Sequence, residues 1–284
     1  MNTILIPIDF TRASNNAVSY AVDMTRDYAI THIILVVSDY VSEFEAIIPT
    51  ADFIQFSIDK IQATDEVLEA QFNQLKTTLL KNLKPSVRVS FILGKDPLLL
   101  SLAHLVKQER PDLIILASDE SDNNEDSFMA DHLIEIAQAS TIPVLIIPSK
   151  CSYQIIEMVL IPFNASNFSN IKLLKYLGQS IVLSSPKLQL LNVEYTKKTN
   201  DAHKISDQDL VELEHLLKEY QQEIFFAEYE DILQSIKHFI LQKNPQLLVA
   251  LPGKHGILYK LSHRNVIKAL AQNNLKPVLI LKDL

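Results

Sequence analysis

The sequence predicts a protein of two tandem α/β domains, each built on a doubly wound, five-stranded parallel sheet. Three observations support this fold class. The chain has 284 residues, which is long for one typical domain and sufficient for two hydrophobic cores. Continuous apolar runs alternate with stretches of helical periodicity, as in a parallel sheet covered on both faces by helices. The same order of segments occurs twice, which predicts two copies of one fold.

Five apolar runs in the first half have the length and the β-branched content of strands. Between them, apolar residues recur at helical spacing around Ala17, Leu75 and Leu102, which predicts amphipathic helices. The predicted strands lie at residues 3–8, 32–37, 87–93, 112–117 and 142–147.

The second half repeats this alternation. Apolar residues at helical spacing around Leu213 and Ile236 predict two of its helices. The predicted strands lie near residues 157–163, 188–195, 223–229, 246–251 and 277–282.

The repeat is also visible residue by residue. The first strands of the two halves share an apolar run, a proline and a following hydroxyl residue, and Asn164 stands where the first half has Asp9. We therefore place one domain at 1–150 and the other at 151–284, joined near residues 149–156. The matching segments are Ile4–Thr11 with Val159–Ser166, Pro111–Ile115 with Pro245–Val249, and Ile142–Ile146 with Lys276–Ile280.

Four segments in matching order resemble the universal stress protein family. They are Ile4–Thr11 with the Asn- and Ala-rich amphipathic stretch after it, the turn Gly94–Pro97, Pro111–Leu116, and Ile142–Ile147. The resemblance implies a Rossmann-like, adenine nucleotide alpha hydrolase-like fold with strand order 3-2-1-4-5 in each domain. It also implies that the fifth strands of the two domains pair with each other, which would protect two apolar sheet edges.

The resemblance further implies a ligand cleft in each domain, outside the carboxyl ends of the first and fourth strands, where the strand order reverses. The longer first half predicts an insertion at Ser38–Lys60, which we expect to be a partly helical surface excursion over the mouth of the first cleft. The candidate ligand-binding residues of the first cleft are Pro7, Asp9, Val37, Ala117, Ala130 and Asp131. Those of the second cleft are Asn164, Lys254, His255, Arg264 and Asn265.

ATP-binding members of the family carry a glycine motif after the fourth strand, with the spacing G-2x-G-9x-G-S/T. Glycines let backbone N–H groups approach phosphates at a helix N-terminus. The first half matches none of these positions, which hold Ala117, Glu120, Ala130 and Asp131. Repulsion from five carboxylates in the same loop predicts poor triphosphate binding. These carboxylates belong to Asp119, Glu120, Asp122, Glu125 and Asp126.

In the second half, the motif positions hold Leu251, Lys254, Arg264 and Asn265, again without glycine. We interpret the nearby Gly253–Gly256 as a turn, because it follows the strand two residues late. This segment is rich in lysine, arginine and histidine and free of acidic residues. The asymmetry between the halves predicts that any phosphate-bearing ligand prefers the second.

No other motif predicts catalysis or metal binding. Asp122, Asn124 and Asp126 alternate as in a calcium loop, but Ser127 replaces the required glycine, which favours a solvated loop over a metal site. Cys151 is the single cysteine, which excludes an intramolecular disulfide and a zinc site of several thiolates. We interpret it as a structural thiol, expect most of the histidines at the surface or at helix ends, and expect no enzymatic activity.

Bulk properties narrow the function further. The formal net charge of −8 disfavours nucleic acid as a partner, because phosphate backbones are bound by dense lysine and arginine surfaces. No apolar stretch is long enough to span a membrane, and the N-terminus lacks the features of a secretory signal. We therefore expect a cytoplasmic protein that binds neither nucleic acid nor membrane.

These observations favour a non-catalytic stress-response binding or regulatory protein with weak or absent ATP binding. Its partner would be a protein or a small ligand that the sequence does not identify. No cofactor is required, and the binding of ATP or AMP is left open. The alternative is a nucleotide-binding universal stress protein with slow phosphate-transfer chemistry. We expect the two halves to form an intramolecular pseudo-dimer, and association into a homodimer is a further possibility.

Overall fold

A computed structural model describes most of both halves of the chain. The helices within the described part include none that is both long and apolar enough to cross a membrane. The described residues are 3–38, 51–94, 96–118, 128–163, 174, 177, 186–193, 207–227, 232–251 and 276–282.

The first half alternates strands and helices as the apolar periodicity predicts. The α1 helix begins at a capping hydroxyl, because the Thr11 side chain accepts a hydrogen bond from the backbone N–H of Ser14. The elements are β1 (Thr3–Pro7), α1 (Arg12–Met24), β2 (His32–Ser38), α2 (Ala51–Asn82), β3 (Arg88–Gly94), α3 (Leu98–Glu109), β4 (Leu113–Ser118), α4 (Phe128–Ala139) and β5 (Val144–Pro148).

The second half repeats the five strands. Each lies within two residues of its predicted amino-terminal start, and the strands are shorter than predicted at their carboxyl ends, except for the first. The elements are β6 (Met158–Phe163), β7 (Lys187–Asn192), α5 (Asp207–Leu216), β8 (Gln222–Phe226), α6 (Ile232–Lys243), β9 (Leu247–Ala250) and β10 (Val278–Ile280).

The strands form one ten-stranded sheet with the order β3-β2-β1-β4-β5-β10-β9-β6-β7-β8. Each half therefore has the order 3-2-1-4-5, which confirms the predicted fold class. The fifth strands meet in the middle, where β5 and β10 pair antiparallel with Val144 opposite Ile280 and Ile146 opposite Val278. This pairing confirms that the apolar edges protect each other, and its antiparallel sense is the one that a twofold relation between two copies requires.

Helices cover both faces of the sheet, which explains why the strands are continuously apolar. Ile4 and Ile6 point to the face that carries α1, α2 and α5, whereas Leu5 points to the face that carries α3, α4 and α6. All three are fully buried. Burying one such side chain contributes about 1.5–3 kcal/mol, so the strands supply much of the hydrophobic free energy of folding.

The predicted insertion at Ser38–Lys60 begins at the last residue of β2 and is helical over residues 51–60. Residues 51–60 are the first ten residues of α2, which continues to Asn82 without a break at Lys60. The expectation of partial helix is therefore confirmed, and residues 39–50 lie outside the described residues. The position of the insertion over the cleft stays a prediction.

Side-chain hydrogen bonds hold the connection between the halves against α1. The Asn16 Nδ2 atom donates to the carbonyl oxygens of Pro148 and Cys151, at 3.0 and 2.9 Å. The Tyr153 hydroxyl donates to Asp27 Oδ2 at 2.8 Å. The segment near 149–156 is thus fixed to the first half, and the division into independent domains 1–150 and 151–284 stays a prediction.

Candidate functional site

The first cleft is defined by the reversal of strand order between β1 and β4. β1 pairs with β2 on one side and with β4 on the other. The chain leaves β1 into α1 on one face of the sheet, and it leaves β4 toward α4 on the opposite face. A crevice forms outside the carboxyl ends of two neighbouring parallel strands whose connections diverge in this way.

Three of the predicted cleft residues belong to the strand ends. Pro7 is the last residue of β1, and Val37 and Ala117 are each next to last in β2 and β4. All three are buried. None of the three side chains can form a hydrogen bond. They can therefore contribute to a ligand site only by shaping its floor.

Asp9 lies just beyond β1 and is half-buried. Its Oδ1 atom accepts hydrogen bonds from the backbone N–H of Thr11 at 3.1 Å and from the Thr11 hydroxyl at 2.6 Å. The same hydroxyl oxygen caps α1 by accepting from Ser14 N. Asp9 therefore orders the turn from β1 into α1, and this oxygen is already engaged by two donors.

Phe10, between Asp9 and the cap, has a left-handed backbone with φ of 59°. This conformation costs a bulky residue on the order of 1–2 kcal/mol, so contacts elsewhere must offset it. Its ring packs edge-on against Phe72 of α2 at 5.2 Å between centroids, and Phe72 packs against Phe91 of β3 at 4.8 Å. Sequence reasoning missed this aromatic cluster, which fixes α2 beside the cleft.

The turn after β3 closes the carboxyl edge of the sheet beyond β2. A Cβ atom at Gly94 would lie 2.6 Å from Ser101 Oγ and 3.1 Å from Ser101 Cβ. The hydroxyls of Ser38 and Ser101 both donate to the carbonyl oxygen of Asp96, at 2.8 and 3.0 Å. Gly94 therefore allows close packing between β3 and α3.

The remaining candidates do not come together in the described part of the chain. Ala130 and Asp131 belong to α4, but their side chains are not described. The acidic loop that follows β4 lies outside the described residues, and so does every candidate of the second cleft. Those second-cleft residues are Asn164, Lys254, His255, Arg264 and Asn265.

The described side chains offer no metal cluster and no activated thiol. No group of three or more His, Cys, Asp or Glu residues within the described ranges is arranged to hold a metal ion. Cys151 is half-buried, and burial raises the pKa of its thiol, which disfavours the reactive thiolate.

His32 departs from the expectation that most histidines lie at the surface or at helix ends. It is buried at the start of β2, at the sheet end opposite the cleft. Its Nδ1 atom accepts from the Arg88 guanidinium at 3.0 Å, so Nε2 carries the proton and donates to Ser90 Oγ at 2.8 Å. Burial, together with the charge of Arg88, lowers the pKa of His32.

A tyrosine cluster was also missed by sequence reasoning. Tyr153, in the segment between the halves, packs edge-on against Tyr20 and Tyr28 of the first half, at 5.2 and 6.5 Å between centroids. Burial raises the pKa of the Tyr20 and Tyr153 hydroxyls, and the hydrogen bond to Asp27 raises that of Tyr153 further. Both hydroxyls stay protonated, and that of Tyr153 donates to Asp27 Oδ2.

Comparisons with known proteins agree with this architecture. The sequence profile described as the Universal stress protein family matches residues 1–148. A universal stress protein from Archaeoglobus fulgidus has a structure similar to this chain, with a TM-score of 0.56, 13% identity, and coverage of 99% of this chain and 96% of that one. A search of curated proteins found no match.

Two further solved structures share the full-length arrangement. A putative universal stress protein from Pseudomonas aeruginosa UCBPP-PA14 is 15% identical with a TM-score of 0.53, and covers 99% of this chain and 93% of that one. A protein of unknown function from Pseudomonas aeruginosa PAO1 is 15% identical with a TM-score of 0.52, covering 99% and 92%. At such low sequence identity, these structural similarities show a shared fold alone.

Proposed function

The chain belongs to the universal stress protein family, and from this premise we propose that it is a non-catalytic, stress-response binding or regulatory protein with weak or absent ATP binding. In this proposal it acts in the cytoplasm, needs no cofactor, and responds to a protein partner or a small ligand. Its two halves serve as an internal pseudo-dimer. Whether two chains then associate into a homodimer is a question for light scattering.

The observation that supports weak ATP binding is the use of glycine. Gly94 is the only glycine in residues 1–150. It is held against Ser101 by a contact that leaves no room for a Cβ atom. A phosphate-binding loop needs backbone N–H groups that approach the ligand closely, and glycine is the residue that allows this approach. The first half has no glycine left for that task.

The charge of the first cleft supports the same proposal. The Asp9 carboxylate stands at the end of β1, where its Oδ1 atom already accepts two hydrogen bonds from Thr11. The sequence after β4 adds the five carboxylates of the acidic loop. Bringing a triphosphate beside these charges is unfavourable, and the penalty grows as water is excluded from the cleft.

The proposal is tested by the melting temperature of the full chain with and without ATP, ADP and AMP. A ligand at 100 times its dissociation constant stabilises the native state by about 2.7 kcal/mol. For a unit of this size, each kcal/mol raises the melting temperature by roughly 2–4 °C. We expect a rise below about 1 °C with about 1 mM ATP and Mg²⁺. A rise of several degrees would refute weak binding.

The alternative is a nucleotide-binding protein with slow phosphate-transfer chemistry. The observation that favours it is the segment from Lys254 to Lys268, which carries four lysines or arginines and two histidines without an acidic residue. Basic side chains near a helix N-terminus bind phosphate groups. Release of inorganic phosphate from ATP, absent in the Lys254→Ala/Arg264→Ala variant, would support this alternative over the proposal.

A further inference from the structure

A groove separates α1 from α2 beside the first cleft. Its volume is about 470 Å³, within the range of pockets that hold small molecules. The groove is lined by residues of both helices and, at one end, by Phe10. Phe10 follows Asp9 directly, so the groove and the cleft meet at the same turn.

The floor of the groove is apolar. Val18 and Val22 come from α1, and Leu75 and Leu79 from α2. Val18, Val22 and Leu79 are buried, while Leu75 is partly exposed to the groove. Leu75 is therefore the main hydrocarbon surface that a ligand could cover, because Val18, Val22 and Leu79 are at most 5% exposed. Covering such a surface favours binding by about 25 cal/mol for each Å² buried.

The walls of the groove are polar and neutral. Carboxamides line them on both helices, together with two hydroxyls, Ser19 of α1 and Thr78 of α2. Each hydroxyl donates its proton to its own helix, Ser19 to the carbonyl of Asn15 and Thr78 to that of Gln74. Their oxygen lone pairs can therefore accept hydrogen bonds from a ligand.

The carboxamides complement these acceptors. Asn15 donates through Nδ2 to the carbonyl of Phe10 at 3.2 Å, which fixes the side chain at the wall of the groove. Gln71, Gln74 and Asn82 are exposed along α2 and can each donate and accept. A ligand in the groove would meet donors and acceptors on both sides.

The two charged residues that line the groove neutralise each other. Arg26 Nη2 lies 3.0 Å from Asp23 Oδ1, with Asp23 in the last turn of α1 and Arg26 just beyond its end. The groove therefore offers no net charge to an ion. An anion as large as ATP would meet no uncompensated cation there, so a neutral ligand is favoured.

We propose that this groove binds a neutral carbohydrate. A sugar ring has a C–H face that suits the apolar floor and an edge of hydroxyls that suits the carboxamides and hydroxyls of the walls. The strained backbone of Phe10 is consistent with such a site, because strain of this kind is found where a structure holds a ligand-binding surface. The proposal does not depend on whether the β1–β4 cleft binds nucleotide.

The test uses the full chain with maltose and trehalose as probes, and binding is followed by chemical-shift changes in NMR spectra. Thr78→Trp fills the groove. Thr77→Trp is the matched control, because Thr77 neighbours Thr78, makes the same kind of hydrogen bond to its helix, and is not one of the residues that line the groove. We expect saturable binding of at least one disaccharide to the wild type and to Thr77→Trp, weakened at least tenfold in Thr78→Trp.

Ser19→Trp fills the groove from the other helix and guards against misfolding of Thr78→Trp. Melting temperatures identify any variant that fails to fold. Addition of ATP should leave disaccharide binding unchanged, because the site is neutral. The proposal is overturned if neither disaccharide binds at up to about 100 mM, if the folded groove-filling variants bind as well as the control, or if ATP displaces the sugar.

Discussion

The role assigned to Gly94 can be tested by adding the one carbon atom that the fold excludes. In Gly94→Ala, the new Cβ atom would lie 2.6 Å from Ser101 Oγ, closer than real Cβ atoms approach. Ser101 must rotate, and its buried hydroxyl then loses the hydrogen bond to Asp96 O. The lost bond and the remaining overpacking each cost about 1 kcal/mol or more, so we expect a destabilisation of about 1–3 kcal/mol.

A double-mutant cycle separates this contact from other effects. Ser101→Ala alone should cost about 1 kcal/mol for the lost hydrogen bond. Because Ser101→Ala also removes the 2.6 Å contact, the double variant Gly94→Ala/Ser101→Ala should be more stable than the sum of the single changes predicts. Urea denaturation measures all four free energies. An unchanged stability in Gly94→Ala, or strict additivity, would refute the packing role.

Two further predictions concern buried polar groups. Gln189 is 1% exposed, and its Oε1 atom has no hydrogen-bond partner within the described structure. Gln189→Leu should therefore raise the free energy of unfolding by about 1–3 kcal/mol, measured by urea denaturation. A lower free energy of unfolding would indicate that a partner or a water molecule bonds to this oxygen. His32 has a pKa lowered by burial and by Arg88, so its contribution to stability is complete above its unfolded pKa of about 6.5 and is lost as pH falls toward the folded pKa. Denaturation midpoints measured from about pH 7.5 to about pH 5 should fall less steeply in His32→Gln, and equal slopes would exclude His32 as the titrating group.

The strands could be predicted because they are buried on both faces. Continuous apolar runs such as residues 3–7 and 113–118, separated by helical segments, are typical of strands in a parallel sheet that is covered on both faces. The pairing of β5 with β10 followed from the family resemblance, and it is favourable because each is an apolar edge strand that would otherwise face water.

The details of the site depend on contacts between residues far apart in sequence. Phe10 was unremarkable in sequence, because its left-handed backbone is offset by packing against Phe72, which lies 62 residues away on α2. His32 pairs with Arg88, which only the β2–β3 register brings beside it. The tight space at Gly94 likewise arises from Ser101 on the following helix. The local periodicity of apolar residues cannot predict contacts between residues so far apart in sequence.

The central claim is that the first cleft binds ATP weakly or not at all. Isothermal titration of ATP and Mg²⁺ into the full chain tests it most directly, using the wild type, Lys254→Ala/Arg264→Ala, and Asp9→Ala at low and physiological ionic strength. We predict that ATP gives no saturable heat with the wild type. If the wild type does bind ATP, we predict that this binding is lost in the Lys254→Ala/Arg264→Ala variant, which changes the second half. Saturable ATP binding that persists in that variant, and whose affinity changes in Asp9→Ala, would contradict the claim.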